Sequence, residues 1–263
     1  MGYWFKWLSI CFLTDENLLA WRRMYGVIMV PTDSTIEPRT RVVQGETPKR
    51  ILIANAKGGS GKTTIATNLS SLFACRDEQC VLIDFDPQGS STQWLQLRQS
   101  ARSKIFGISA YKKPTTQVTG SWHIHNLPLD TTKVVIDTPA GLTGQLLNDL
   151  VRESDFIVIP VTPSPIDIRA TTLFIKELFL TTAYRNRPRQ VAVVANRVRK
   201  NTLVYSKLEL FLKSLKIPFI STFRDTQFYI RSSEYGLGIH DLNNAHQSDI
   251  DDWQKLVDWI DVN

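Results

Sequence analysis

Apolar positions along this chain alternate between two rhythms. Short, unbroken apolar runs recur at Ile51-Leu52-Ile53-Ala54, Val81-Leu82-Ile83, Val134-Val135-Ile136, Phe156-Ile157-Val158-Ile159 and Val191-Ala192-Val193-Val194. Runs of this length predict five strands buried on both faces. A weaker sixth candidate is Ile217 with Phe219-Ile220-Ser221. Pro160 is expected to close the fourth strand, because proline has no N–H to give a sheet ladder. Between the runs the apolar residues change to helical spacing. Ile65, Leu69, Leu72 and Phe73 fall at i, i+4, i+7 and i+8, one stripe facing a sheet. Segments 168–180 and 203–215 repeat that spacing, and Ile250, Trp253, Leu256, Val257 and Ile260 form a last stripe. From Arg50 onward the pattern therefore predicts an α/β fold, a mostly parallel twisted sheet flanked by helices.

The first 49 residues do not join this pattern. Tyr3 to Leu13 is apolar and aromatic but short and broken by Lys6, and no small-residue cleavage site precedes Asp15-Glu16. Residues 30–49 are polar and rich in Pro, Thr and Arg. We expect an N-terminal extension (1–49), disordered or translated only from Met24 or Met29, followed by one domain (50–263). A helix lying on a membrane surface is the alternative for residues 3–13.

Composition narrows the class. With 43% hydrophobic and 21% charged residues in 263, a full globular core can form. Cys11, Cys75 and Cys80 have no paired spacing, which argues against a disulfide scaffold or a cysteine-built metal site and for a reducing, cytoplasmic setting. No apolar run approaches the ~18–20 residues needed to span a bilayer. The net charge of +6 is unevenly spread: positions 185–231 hold eleven Lys/Arg against two acids, a local +9, whereas 232–263 hold seven acids against Lys255, a local −6.

The chemistry begins after the first strand. Asn55-Ala56-Lys57-Gly58-Gly59-Ser60-Gly61-Lys62-Thr63-Thr64 joins that strand to the first helix. A triphosphate needs several backbone N–H groups aimed at one place, and glycines let the chain wrap that tightly. The helix N-terminus adds partial positive charge. Gly58, Gly59, Ser60, Gly61 and Thr64 are therefore expected in the cradle of ATP, with Lys62 reaching the β- and γ-phosphates and the Thr63 hydroxyl on Mg2+.

Three carboxylates complete the candidate site. Asp84 and Asp86 end the second predicted strand in Asp84-Phe85-Asp86-Pro87-Gln88-Gly89, and residues two apart share a strand face, so both can point to one place. Carboxylates there can hold Mg2+ through water and orient an attacking water. Asp137 ends the strand Val134-Val135-Ile136 and is expected to bind Mg2+ through water and to meet Thr63.

Two departures from the general P-loop carry a resemblance. Ala56 replaces the first glycine, and an additional lysine, Lys57, opens the loop. Lys57 to Thr64 resembles the deviant Walker A motif of the ParA/MinD family, and Asp84 to Gly89 is similar to its second motif. The likeness continues through Pro160-Val161-Thr162-Pro163-Ser164-Pro165-Ile166-Asp167 and Ala195-Asn196-Arg197-Val198, and covers about residues 50–242. It implies a homodimer formed when ATP is bound, with Lys57 reaching the partner's nucleotide. It further implies that Asp86 positions the hydrolytic water, that Asp84 helps organise the metal site, and that Asn196 reads the base; a plain turn role for Asn196 stays open.

The Pro87-Gln88-Gly89 continuation is closer to the ParA branch, and the acidic tail differs from the basic membrane helix of MinD-like members. This resemblance implies a nucleoid-associated, cytoplasmic ATPase that binds DNA without sequence preference. It would partition or position a plasmid, chromosome region or protein cargo, with an adaptor protein stimulating hydrolysis and no membrane involved. Arg197, Arg199, Lys200, Lys207, Lys213, Lys216, Arg224 and Arg231 are the candidates for the phosphate-contacting surface; ordinary solvated helix faces are the competing account. A P-loop enzyme using ATP on a small-molecule or cofactor substrate is the alternative function.

Overall fold

The computed structural model describes residues 47–99, 102–111 and 127–263. The chain divides into two units, 1–45 and 46–263. The expectations for residues 1–46 lie outside the described residues.

Seven strands are described: β1 (Lys49–Ile53), β2 (Cys80–Asp84), β3 (Ile105–Ser109), β4 (Lys133–Asp137), β5 (Phe156–Val161), β6 (Gln190–Val198) and β7 (Phe219–Arg224). The helices are α1 (Lys62–Cys75), α2 (Ser90–Leu97), α3 (Gly144–Arg152), α4 (Pro165–Leu180), α5 (Thr182–Asn186), α6 (Leu203–Ser214), α7 (Gln227–Ser233) and α8 (Gln247–Val262), with a short 3-10 turn at Ile239–Asp241. The strands form one sheet in the order β3-β2-β4-β1-β5-β6-β7, and every neighbouring pair is parallel. The α/β class is therefore as expected, and each of the six anticipated runs contributes a strand.

Alternation of side chains across the strands builds two apolar layers. Leu52, Val134, Ile136, Ile157, Ile159 and Val193 face one side, where Leu147 and Leu150 of α3, Phe174 and Leu178 of α4 and Leu208 and Leu212 of α6 cover them. Ile51, Ile53, Leu82, Val135 and Val158 face the other, under Ile65, Leu69 and Phe73 of α1 and Trp253, Leu256 and Ile260 of α8. The acidic terminal helix thus turns its apolar stripe onto the sheet, and the Trp253 indole stacks on Phe223 at 4.1 Å between ring centres. Its last turn is fastened by cations at the strand starts. Lys49 Nζ donates to the carbonyls of Ile260 and Asp261 (2.7 and 2.9 Å), and Lys133 Nζ to the Asp261 carboxylate at 2.5 Å. Positive charge at a helix C-terminus is the favourable arrangement.

Two expectations need correction. Strand β3 was not anticipated: it is a five-residue edge strand with Gly107 at its centre, over which the Leu95 side chain fills the space a Cβ would need. Pro160 does not close the fourth strand, which runs on to Val161 in register with β6. Its missing N–H falls on the β1 side, where pairing has already ended at Ile53 and Val158, and its carbonyl accepts from Asn55 Nδ2 at 2.9 Å. Proline is tolerated because the neighbouring strand has given way to the glycine loop.

Candidate functional site

The glycine loop is suspended from buried side chains. Asn55 is fully buried; its Nδ2 donates to the Pro160 carbonyl and to Thr171 Oγ1 (both 2.9 Å), and its Oδ1 accepts from Lys57 N at 3.1 Å. Gly141 N donates to the Ala56 carbonyl at 2.8 Å. Within the loop, Gly59 and Gly61 adopt left-handed φ values of 80° and 92°. Gly61 is doubly constrained, since a Cβ there would lie 1.9 Å from Asn196 Nδ2. Helix α1 then starts at Lys62 with no side-chain cap and no acid in its first turn. Its first N–H groups are left to an anion, which the helix dipole also favours.

Lys62 points into this cradle. It is buried, and Nζ donates to the Lys57 carbonyl at 3.2 Å. Burial lowers its pKa, while the nearby Asp137 and Asp86 carboxylates raise it. Lys57 behaves differently. Its side chain is 40% exposed at the mouth of the loop, with Nζ 3.9 Å from Asp167 Oδ1.

Asp84 and Asp137 end adjacent strands in register with each other. Asp137 is fully buried; its Oδ2 accepts a 2.5 Å hydrogen bond from Ser91 Oγ, and its Oδ1 has no hydrogen bond of normal geometry. Burial pushes the Asp137 carboxyl up to about 6, against the Ser91 and Thr63 hydroxyls and Lys62, which lower it. An orphaned carboxylate oxygen beside the Thr63 hydroxyl fits a hard cation. Among the described residues no cluster of three or more His, Cys, Asp or Glu could hold one. Thr63 and Asp137 therefore fit Mg2+ as it binds with a nucleotide, where phosphates and water supply most of the ligands.

The other two carboxylates are placed by a turn rather than by strand alternation. Strand β2 ends at Asp84, so Asp86 lies beyond the pleat that was expected to align them. Asp84 Oδ1 accepts from Asp86 N (3.0 Å), and its Oδ2 accepts from Thr92 N and Thr92 Oγ1 (both 2.9 Å). Both oxygens are thus committed to bracing the turn against α2. Asp86 is half-buried, and its Oδ1 accepts from Gln88 N at 2.9 Å.

At the far side of the loop, β6 and β7 pair irregularly between Ala195 and Val198. Such a bulge re-aims side chains. Asn196 turns inward and donates from Nδ2 to the Ser60 carbonyl at 3.0 Å; Arg197, with φ of 53°, turns outward. A cavity of about 640 Å3 opens beside them, lined by Thr63, Thr64, Trp94, Asn196, Asp225 and Tyr229 among others. It is large enough for a nucleotide base and sugar.

Of the eight basic candidates, Arg197, Arg199, Lys200, Lys207, Lys213, Lys216 and Arg231 are exposed. Arg199 pairs with Asp225 at 2.7 Å and Lys213 with Glu209 at 3.1 Å. Arg224 departs from the set: its guanidinium is fixed inward on the buried Asp249 carboxylate. Ser91, Thr92 and Asn55 were not singled out in the sequence. A hydroxyl run directly after Gly89 was the available signal for the first two; Asn55 had none.

A glycine loop between a buried strand and an uncapped helix, with an inward lysine and an orphaned carboxylate oxygen beside it, defines a P-loop nucleotide-binding domain. The chain belongs to the CobQ/CobB/MinD/ParA nucleotide binding domain family, whose model matches residues 51–239. It is 28% identical over 220 residues to the maintenance of carboxysome distribution protein A of Halothiobacillus neapolitanus, covering 80% of this chain and 95% of that one. To the chromosome partitioning protein ParA of Myxococcus xanthus it is 32% identical over 131 residues, 43% of this chain and 44% of the relative. The crystal structure of a plasmid partition protein of Borrelia burgdorferi bound to AMPPNP superposes with a TM-score of 0.63 at 21% identity, covering 82% of this chain and 99% of the other. Among the described residues no helix is long and apolar enough to cross a membrane.

Proposed function

We propose that this chain is a ParA-like ATPase that dimerises on ATP, binds DNA without sequence preference, and positions or partitions a cargo. The observation that carries this reading is the division of labour between two lysines of one loop. Lys62 is turned inward under the loop, whereas Lys57 stands half-exposed at its mouth, with Nζ 3.9 Å from the Asp167 carboxylate.

In this reading the N–H groups of Gly58 to Thr64 and the Lys62 ammonium hold the triphosphate. Mg2+, held by Thr63 and Asp137, neutralises charge on the phosphates. Asp86, half-buried and near enough to Lys62 to oppose part of the lowering of its pKa by burial, orients the attacking water. Asp84 acts on the reaction through the turn that carries Asp86. Asn196 closes the loop from the base side. Lys57 completes the site of the partner subunit. The exposed cations Arg197, Lys200, Lys207, Lys216 and Arg231, together with Arg199 and Lys213, supply phosphate contacts on the nucleoid. An adaptor protein stimulates hydrolysis and so releases the dimer. Relatives named for carboxysome distribution and chromosome partitioning support a positioning role.

The test is binding to a labelled DNA duplex of arbitrary sequence with ATP, ADP or no nucleotide across a salt series. Binding confined to ATP, falling steeply with salt and lost in Lys57→Ala, is the expected result. Absence of binding at low salt with every nucleotide would sink the positioning role.

A further inference from the structure

We infer that Asp167 is a positioning residue that parks Lys57 on its own subunit until a second molecule brings a triphosphate within reach. The inference rests on the ATP-dependent dimer proposed above and adds a residue to it.

The backbone of Lys57 cannot move freely. Its N–H donates to Asn55 Oδ1, and its carbonyl accepts from both Lys62 Nζ and Ser60 Oγ (3.2 Å each). Only the side chain can change direction. It runs to Asp167, whose Oδ1 lies 3.9 Å from Nζ.

Asp167 is itself held in place. It stands in the first turn of α4, directly after Pro165 and Ile166, and its Oδ2 accepts a short hydrogen bond from the Thr162 hydroxyl at the end of β5. A carboxylate in a first turn is favoured by the helix dipole. Its side chain is 19% exposed, so it is a fixed post rather than a mobile partner.

The strength of the contact suits a latch. Partly solvated pairs of this kind are worth ~0.2–1 kcal/mol, a bias of up to about fivefold. A triphosphate carries several negative charges and outcompetes one carboxylate. The pair thus holds the lysine back from solvent in the monomer without blocking its transfer.

Sedimentation of the full chain with Mg2+ and AMPPNP over a concentration series tests this. Asp167→Asn keeps the acceptor for Thr162 and removes the charge that holds Lys57. The dimer dissociation constant is expected to fall ~2–30-fold in Asp167→Asn, the square of one pair's bias because each dimer releases two such pairs. Asp167→Glu, which keeps the charge, is expected to behave as wild type. In a Lys57→Ala background the same asparagine substitution is expected to change nothing. Equal dimerisation of wild type and Asp167→Asn, tighter binding that persists without Lys57, or weaker dimerisation in Asp167→Asn would each overturn the latch while leaving the dimer standing. A wild-type chain that stays monomeric with AMPPNP removes the dimer itself, and the latch with it.

Discussion

Arg224 and Asp249 meet in a two-point ion pair, Nε and Nη2 each 2.6 Å from a different carboxylate oxygen, with the Asp249 side chain 1% exposed. The pair joins the rim of the cavity to the first turn of α8. Tyr229, which lines the same cavity, is tied to that helix by the Trp253 indole N–H, 2.9 Å from its hydroxyl. The terminal helix therefore sets one wall of this cavity through two contacts.

Removing Asp249 leaves the Arg224 guanidinium, a third exposed, without its carboxylate partner. Asp249→Ala is expected to cost ~2–4 kcal/mol, somewhat less than a wholly buried pair because the guanidinium is a third exposed. Arg199→Ala, which removes an exposed pair with Asp225, is expected to cost under ~1 kcal/mol. Urea denaturation of both variants compares them, and equal midpoints would show that Asp249 is not structurally isolated.

Asp137 gives the protein without nucleotide a characteristic pH dependence. Its carboxyl is pushed up to about 6 by burial. Between about pH 4 and that value the native state keeps a proton that the unfolded chain has released, so this group's contribution to stability falls as pH rises through the window. His240 acts in the opposite sense: burial holds its imidazole down to about 4, so stability is lost as pH falls from about 6.5 towards that value. The two slopes partly cancel in wild type and separate in a variant. Asp137→Asn is expected to be more stable than wild type by ~1–3 kcal/mol at pH 7 in the absence of nucleotide, with the difference vanishing near pH 4. Thermal denaturation at several pH values reads this directly.

Ser91→Ala removes the hydrogen bond that the Ser91 hydroxyl donates to Asp137 Oδ2. A hydrogen bond to a charged group is worth ~1.5–3 kcal/mol, so Mg-dependent nucleotide binding is expected to weaken about tenfold or more. Titrating Mg2+ against a fluorescent ATP analogue measures it; an unchanged magnesium midpoint would mean that the serine does not orient this carboxylate.

Asn196 and Gly61 are expected to fail differently. Asn196→Ala leaves the Ser60 carbonyl without its partner, and ATP affinity should drop ~5–30-fold, the worth of one lost buried hydrogen bond. Gly61→Ala drives a methyl into Asn196 at a left-handed position and should abolish binding. Isothermal titration distinguishes the two, and near-wild-type affinity in the alanine variant of Gly61 would contradict the close approach.

The elements that bear the phosphate cradle were legible because local chemistry alone dictates them. An apolar strand, a glycine run and a helical stripe need no distant partner to be recognised. Strand β3 was not legible, because Gly107 interrupts a run only five residues long and α2 supplies the packing that makes it a strand. The side chains that tune the site were hidden for a related reason. Asn55 finds Thr171 116 positions away, and Arg224 finds Asp249 only after α7 and the 3-10 turn have intervened. Asp86 was expected to share a face with Asp84, an inference valid inside a strand but not past its last residue.

The position of β1 has a consequence in time. It lies between β4 and β5, and the Arg50 N–H waits for a carboxylate at Asp155, 105 positions later in the chain. At ribosomal speeds of ~5–20 residues per second, the strand that leads into the glycine loop spends roughly 5–20 s outside the ribosome before both neighbours have been made. Asn55 is unmoored for the same interval, since Pro160 and Thr171 come later still. The loop is among the first parts of the domain to be synthesised, yet the partners of Asn55 exist only once five of the seven described strands have been made.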